Sequence, residues 1–155
     1  MSAENPVTKD EINNHEGLAM LRKALENGDR GTLRYICDLS LYSLNKPNDE
    51  EYEHYIDAMT KQRCKTDIDY SLITYNMTHT PNMVAKEGSG RIDLLKGPIT
   101  ILHSENDAVV PLAWGQATKE LLGDRAEIVV MKGLGHSPVT DDLQLVVENL
   151  RAILR

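Results

Sequence analysis

Two short stretches carry the side chains best suited to chemistry. "SENDAVVP", residues 104–111, places Asp107 directly after an Asn, and "GLGHSP", residues 133–138, places His136 after two closely spaced glycines and before a Ser-Pro. A carboxylate bonded to one imidazole nitrogen fixes the tautomer and leaves the other nitrogen to take a proton, so the two together could serve as a general base. Gly133 and Gly135 allow the tight backbone turn that would swing the imidazole over its support. Each residue also has a plainer reading. Asn-Asp is good turn chemistry by itself, and a histidine where a strand stops needs no chemical duty.

Both stretches follow short apolar runs that read as strands. "GPITILHSEND" is β-branched and apolar behind Pro98 and ends in polar residues, and "AEIVVM" is the second such run. Between them "PLAWGQATKELLG" reads as a helix with Pro111 near its first turn and Gly123 as its stop. "DDLQLVVENLRAILR" closes the chain as a helix with Leu143, Val146, Val147, Leu150, Ile153 and Leu154 at helical spacing. Strand, helix, strand, helix implies a right-handed crossover between two parallel strands. Ligands of such sheets gather at the carboxyl ends of the strands. Asp107 and His136 both fall at that edge.

Residues 14–90 read differently, because their apolar periodicity is helical. Leu18, Leu21 and Leu25 share a face that stops at Gly28, and Asp29 can cap the next helix, which carries Leu33, Ile36, Cys37 and Leu41. Asn48 and Glu51 form a capping pattern ahead of Tyr52, Tyr55, Ile56 and Met59. Thr66 is placed to cap a fourth helix with Ile68, Leu72, Ile73 and Tyr75, which Pro81 should stop. "KEGSGR" reads as a linker and the polar residues 1–13 as a flexible leader; Met1 ahead of that leader suits a natural start. The acidic runs "NDEEYE" and "TDDLQ" read as helix N-terminal charges. The tyrosines at 35, 42, 52, 55, 70 and 75 are either helical core or the lining of an apolar pocket. His54 and His79 read as surface or pocket-lining residues, His103 as facing the pocket or a neighbouring loop, and His15 lies near the flexible start.

At Asp107 and His136 the chain resembles the C-terminal half of the α/β-hydrolase fold. That family carries its triad acid on a turn after the penultimate strand, matched by "SENDAVVP", and its triad histidine on a Gly-His turn after the last strand, matched by "GLGHSP". The resemblance covers roughly residues 92–155. It implies catalytic roles for Asp107 and His136, and by position it likens the helical residues to the lid that covers the pocket in many such enzymes. The family attacks with a Ser on a G-x-S-x-G elbow that precedes acid and histidine, and the sequence contains no such pentapeptide. The expected fold class is therefore α/β: a truncated α/β-hydrolase-like chain, with a leader over 1–13, a helical lid-like region over 14–90 and a short parallel β-α-β-α lobe over 91–155.

Three functions are compatible with that outline. The chain could be a subunit or split half whose nucleophile comes from another polypeptide, a nucleophile-free enzyme using the pair for acid-base work on a small apolar metabolite or ester, or a non-catalytic binding or assembly module. A generic βαβ domain with a helical subdomain is the alternative outside the family. Two strands leave unpaired edges, so a homo-oligomer or a partner covering the sheet edge is expected.

Bulk properties narrow the field further. The 155 residues, 41% hydrophobic and 26% charged, suit one ordinary domain with a single core. Seventeen Lys and Arg against 24 Asp and Glu give a formal charge of -7, which disfavours nucleic acid and anionic membrane as partners. Cys37 and Cys64 have no metal-binding spacing and read as reduced, buried thiols. No cofactor or metal site is expected. The absence of an apolar leader or a spanning segment suggests a cytoplasmic protein.

Overall fold

The computed structural model describes residues 8–81 and 87–154. Part of the expected leader, residues 1–7, and part of the expected linker, at Lys86, lie outside them. The chain divides into two compact units, residues 1–33 with 57–96 and residues 34–56 with 97–155. This differs from one core and from a boundary near residue 90. Residues 34–56, expected to belong wholly with the helical region, fold with the strands.

The chain begins with helices: those over 9–27 and 65–74 belong to the first unit, whereas those over 30–39 and 49–60 are divided between the two units. Helix α1 (Lys9–Asn14) lies almost wholly in the expected leader and is nucleated by a complete capping box, in which Glu11 N–H bonds Thr8 Oγ1 and Thr8 N–H bonds the Glu11 carboxylate. Helix α2 (Glu16–Asn27) ends at Gly28, whose φ of 62° is the left-handed C-terminal geometry its residue type favours. Asp29 accepts from Thr32 N–H at 3.0 Å and so caps α3 (Arg30–Leu39). Helix α4 (Asp49–Thr60) is capped reciprocally by Asn48 and Glu51, as the sequence pattern requires.

Helix α5 (Lys65–Thr74) starts at Cys64 rather than Thr66, whose hydroxyl instead bonds Asn13 Oδ1 at 2.5 Å and helps tie α5 to α1. It also ends at Tyr75, well ahead of Pro81. Asn76, Met77 and Thr78 turn back to accept bonds from Ser89, Ile92 and Gly90. Residues 88–92 are thus bonded to preceding chain rather than strung out as a linker. An added Cβ at Gly88 would lie 1.8 Å from Thr78 O, so only glycine fits there.

In the second unit β1 (Ile99–Ser104) and β2 (Ala126–Met131) pair in parallel, with Ile99 opposite Ala126 and Ser104 opposite Met131. Helix α6 (Leu112–Leu122) makes the crossover, with Pro111 at its N-cap and Gly123 at its C-cap. Gly115 lets α6 approach the sheet: a Cβ there would sit 2.4 Å from His103 Nδ1. After β2 come a one-turn helix α7 (Pro138–Asp141), unexpected from the sequence, and α8 (Leu143–Ile153), capped by Asp142.

Buried in this unit are Cys37, Tyr52, Ile56, Leu122, Ala126, Met131 and Leu134. Tyr52 packs edge-on to Tyr42 at 5.1 Å and donates its hydroxyl to Asp38 Oδ1 at 2.7 Å. Burial and then that carboxylate push its phenol well above the usual value. Tyr52 is therefore core, whereas Tyr35, Tyr55 and Tyr75 are exposed. Cys37 is buried as expected, with burial pushing its thiol up, but Cys64 is exposed.

Candidate active site

Asp107 lies in the loop after β1 and His136 in the loop after β2, so parallel pairing delivers both to one end of the sheet. Their side chains meet. His136 Nδ1 lies 2.9 Å from Asp107 Oδ1 and 3.0 Å from Oδ2. With an ionised carboxylate as acceptor, Nδ1 carries the proton of a neutral imidazole and Nε2 presents its lone pair. No described residue bonds Nε2.

Asp107 also accepts the N–H groups of Val109 and Val110, each at 2.8 Å. Turn acid and histidine partner are thus one residue's two duties rather than alternatives. Burial is the largest influence on its carboxyl and opposes ionisation. The bonds from Val110 and Val109, then His136, act in the other direction and together hold it below the ordinary carboxylate value. The side chains are 28% exposed for His136 and 11% for Asp107, so the acid is sheltered and the imidazole reaches solvent.

The two loops are stitched together around this pair. Glu105 N–H donates to Met131 O at 3.0 Å, Asn106 N–H to Leu134 O at 2.9 Å, and Gly133 N–H to the Glu105 carboxylate at 3.0 Å. Gly133 needs its residue type for conformation, with φ at 75°. Gly135 has no positive φ but sits in a tight space, where a Cβ would come within 3.2 Å of Asp141 Oδ2 and 3.3 Å of Leu44. The reading of both glycines as turn formers therefore holds for Gly133 only.

Other residues singled out in the sequence are placed elsewhere. His103 bonds Val110 O through Nε2 at 2.9 Å and so braces the acid loop. His79 meets Asp93 at 3.1 Å on the surface of the first unit. His54 is exposed, and His15 buries an Nδ1 that has no partner among the described residues.

A cavity of about 320 Å³ in the first unit is lined by Arg22, Leu25, Glu26, Gln62, Arg63 and Lys65 among others, and by none of the tyrosines. Lys65 pairs with Asp69 and Arg22 lies near Glu26, so two of its three cations already have carboxylates. Among the described residues, no group of three or more His, Cys, Asp and Glu side chains could hold a metal ion, and no helix is long and apolar enough to cross a membrane.

Sequence reasoning missed Glu105, Asn45 and Asp141. The signal for Asp141 was present in "TDDLQ", where both acids were assigned to a helix start. Only Asp142 caps α8, accepting from Leu145 N–H at 2.9 Å.

A parallel strand pair with an acid loop after one strand and a histidine loop after the next is the arrangement expected of an α/β-hydrolase C-terminal lobe. Residues 74–153 match the family model described as TAP-like protein, one of the α/β-hydrolase families, and the chain belongs to that family. The match contains both Asp107 and His136. No curated protein matches the chain.

Proposed function

We propose that this protein supplies the acid-histidine part of a hydrolase active site: His136 as general base and then general acid through Nε2, and Asp107 as the group that orients and charges it. The nucleophile comes from outside these residues, which contain no G-x-S-x-G turn. The observation that carries the reading is the pair itself, with Nδ1 on a carboxylate at 2.9 Å and Nε2 turned toward no described partner. In the reaction Nε2 takes the proton of an attacking hydroxyl, Asp107 offsets the charge of the imidazolium, and the proton passes on to the leaving group. The substrate is a small, largely apolar ester or metabolite, and the protein is cytoplasmic.

A partner subunit, or a second copy of the chain, fits the surface of the second unit. Only the last residue of β1 is buried, no residue of α8 is buried, and Leu143, Leu150, Ile153 and Leu154 are exposed. Strands this apolar are normally covered. That surface also favours a second reading, in which the chain is a binding or assembly module without turnover.

Mixing the chain with an α/β-hydrolase N-terminal half that bears the serine elbow, and following p-nitrophenyl ester hydrolysis, separates the two. Turnover above that of either part, lost in His136→Ala, is the expected result. A complex without any gain in turnover supports the module and overturns the catalytic reading.

A further inference from the structure

We infer that Asp141 is a positioning residue that locks the histidine turn to the connector between α3 and α4, so that the placement of His136 depends on a segment nearly a hundred positions earlier in the chain. The inference rests on His136 being the functional base. Asp141 Oδ2 accepts the N–H of Gly135, the residue immediately before His136, at 2.7 Å. Its other oxygen, Oδ1, accepts the N–H of Asn45 at 3.2 Å, and its backbone carbonyl accepts from Asn45 Nδ2 at 3.3 Å. Leu44 lies beside the same contact, 3.3 Å from where a Cβ on Gly135 would sit.

Three features separate this from an ordinary surface contact. Gly135 is buried and its N–H donates to a carboxylate in a partly sheltered place, so removing Asp141 takes away a charge-assisted bond. Asp142 already caps α8, which leaves Asp141 with no helix-starting duty. The turn is also supported from its other side, where the N–H of Gly133 is held by Glu105. Asp141 and Glu105 thus grip the backbone at 135 and 133, and His136 leaves that clamped segment aimed at Asp107. Glu105 ties the turn to the acid loop, whereas Asp141 ties it to the connector.

The test uses the full chain and needs no turnover. Amide hydrogen exchange is measured at Gly135 and Asn45, with Ile101 and Val129 in the strands as reporters of global opening, alongside the low-field Nδ1–H proton resonance of His136. Asp141→Ala is expected to speed exchange at Gly135 and Asn45 at least tenfold, leave Ile101 and Val129 unchanged, and broaden or abolish the His136 resonance. Asn45→Ala, which removes only the Nδ2 donor, should move Gly135 in the same direction by a smaller factor and covers the case in which Asp141→Ala does not fold. A His136 resonance unchanged while Gly135 exchanges faster overturns the inference, as does equal acceleration of all four amides in both variants. If His136→Ala leaves turnover untouched in the complementation assay, the catalytic reading fails while these exchange results stand on their own.

Discussion

Among the described residues two histidine-carboxylate pairs of nearly equal length lie in different surroundings. His136 and Asp107 meet at 2.9 Å with side chains 28% and 11% exposed, whereas His79 and Asp93 meet at 3.1 Å with 63% and 64% exposed. Each has a glycine of positive φ close by, Gly133 in one case and Gly90 in the other. Distance therefore does not distinguish them. What differs is the support of the acid: Asp107 takes two backbone N–H groups besides the imidazole, while Asp93 lies in the short turn Arg91–Leu94 beside solvent. An exposed pair is screened by water and free to part, and a sheltered, multiply bonded one keeps its geometry and its polarity. A histidine beside an aspartate becomes a candidate base through what holds the aspartate.

The sharpest way to break this comparison is to remove each imidazole. In a complemented hydrolase, His136→Ala should lower turnover by about 10²–10⁴-fold, the range for a positioned general base, and His79→Ala should leave it unchanged. Equal losses in ester turnover would erase the distinction. The acids come next. Asp107→Ala strands the N–H groups of Val109 and Val110 as well as the imidazole and should cost about 1–3 kcal/mol in urea unfolding, whereas Asp93→Ala should stay within about 0.5 kcal/mol.

The glycines give an intermediate effect. Gly133→Ala and Gly90→Ala should each cost about 1–2 kcal/mol from left-handed strain, yet only the first should disturb turnover. The smallest effect is in acid. Because the Asp107 carboxyl lies below its usual value in the folded protein, its stabilisation is complete above the unfolded value, about 3.9, and is lost as pH falls through the folded one. Asp107→Asn should therefore flatten the decline in stability below about pH 4, read as denaturant midpoint against pH.

Much of this was legible in residue order because the signals are local. Gly28, Asp29, Asn48 with Glu51, and Gly123 mark helix ends through bonds spanning only a few residues, and the structure keeps each of them. The strands at 99–104 and 126–131 were equally readable, and their parallel pairing follows from the intervening helix. Some failures were of local signals, as with the Thr8–Glu11 capping box of α1, but at two positions a distant partner had changed a local preference. Thr66 gave up a capping role for Asn13, and Asp141 left the helix start to its neighbour and turned to Gly135 and Asn45.

By itself the sequence determined that an acid and a histidine would each follow a short apolar strand, since strand, turn and glycine chemistry is written within a dozen residues. Only the tertiary structure decided that Asp107 would be sheltered and Asp93 exposed, that Tyr52 would be buried and Tyr35 not, and that residues 34–56 would fold with the strands. Those outcomes depend on which surfaces exclude water once distant segments meet, and neither composition nor spacing along the chain encodes that meeting directly.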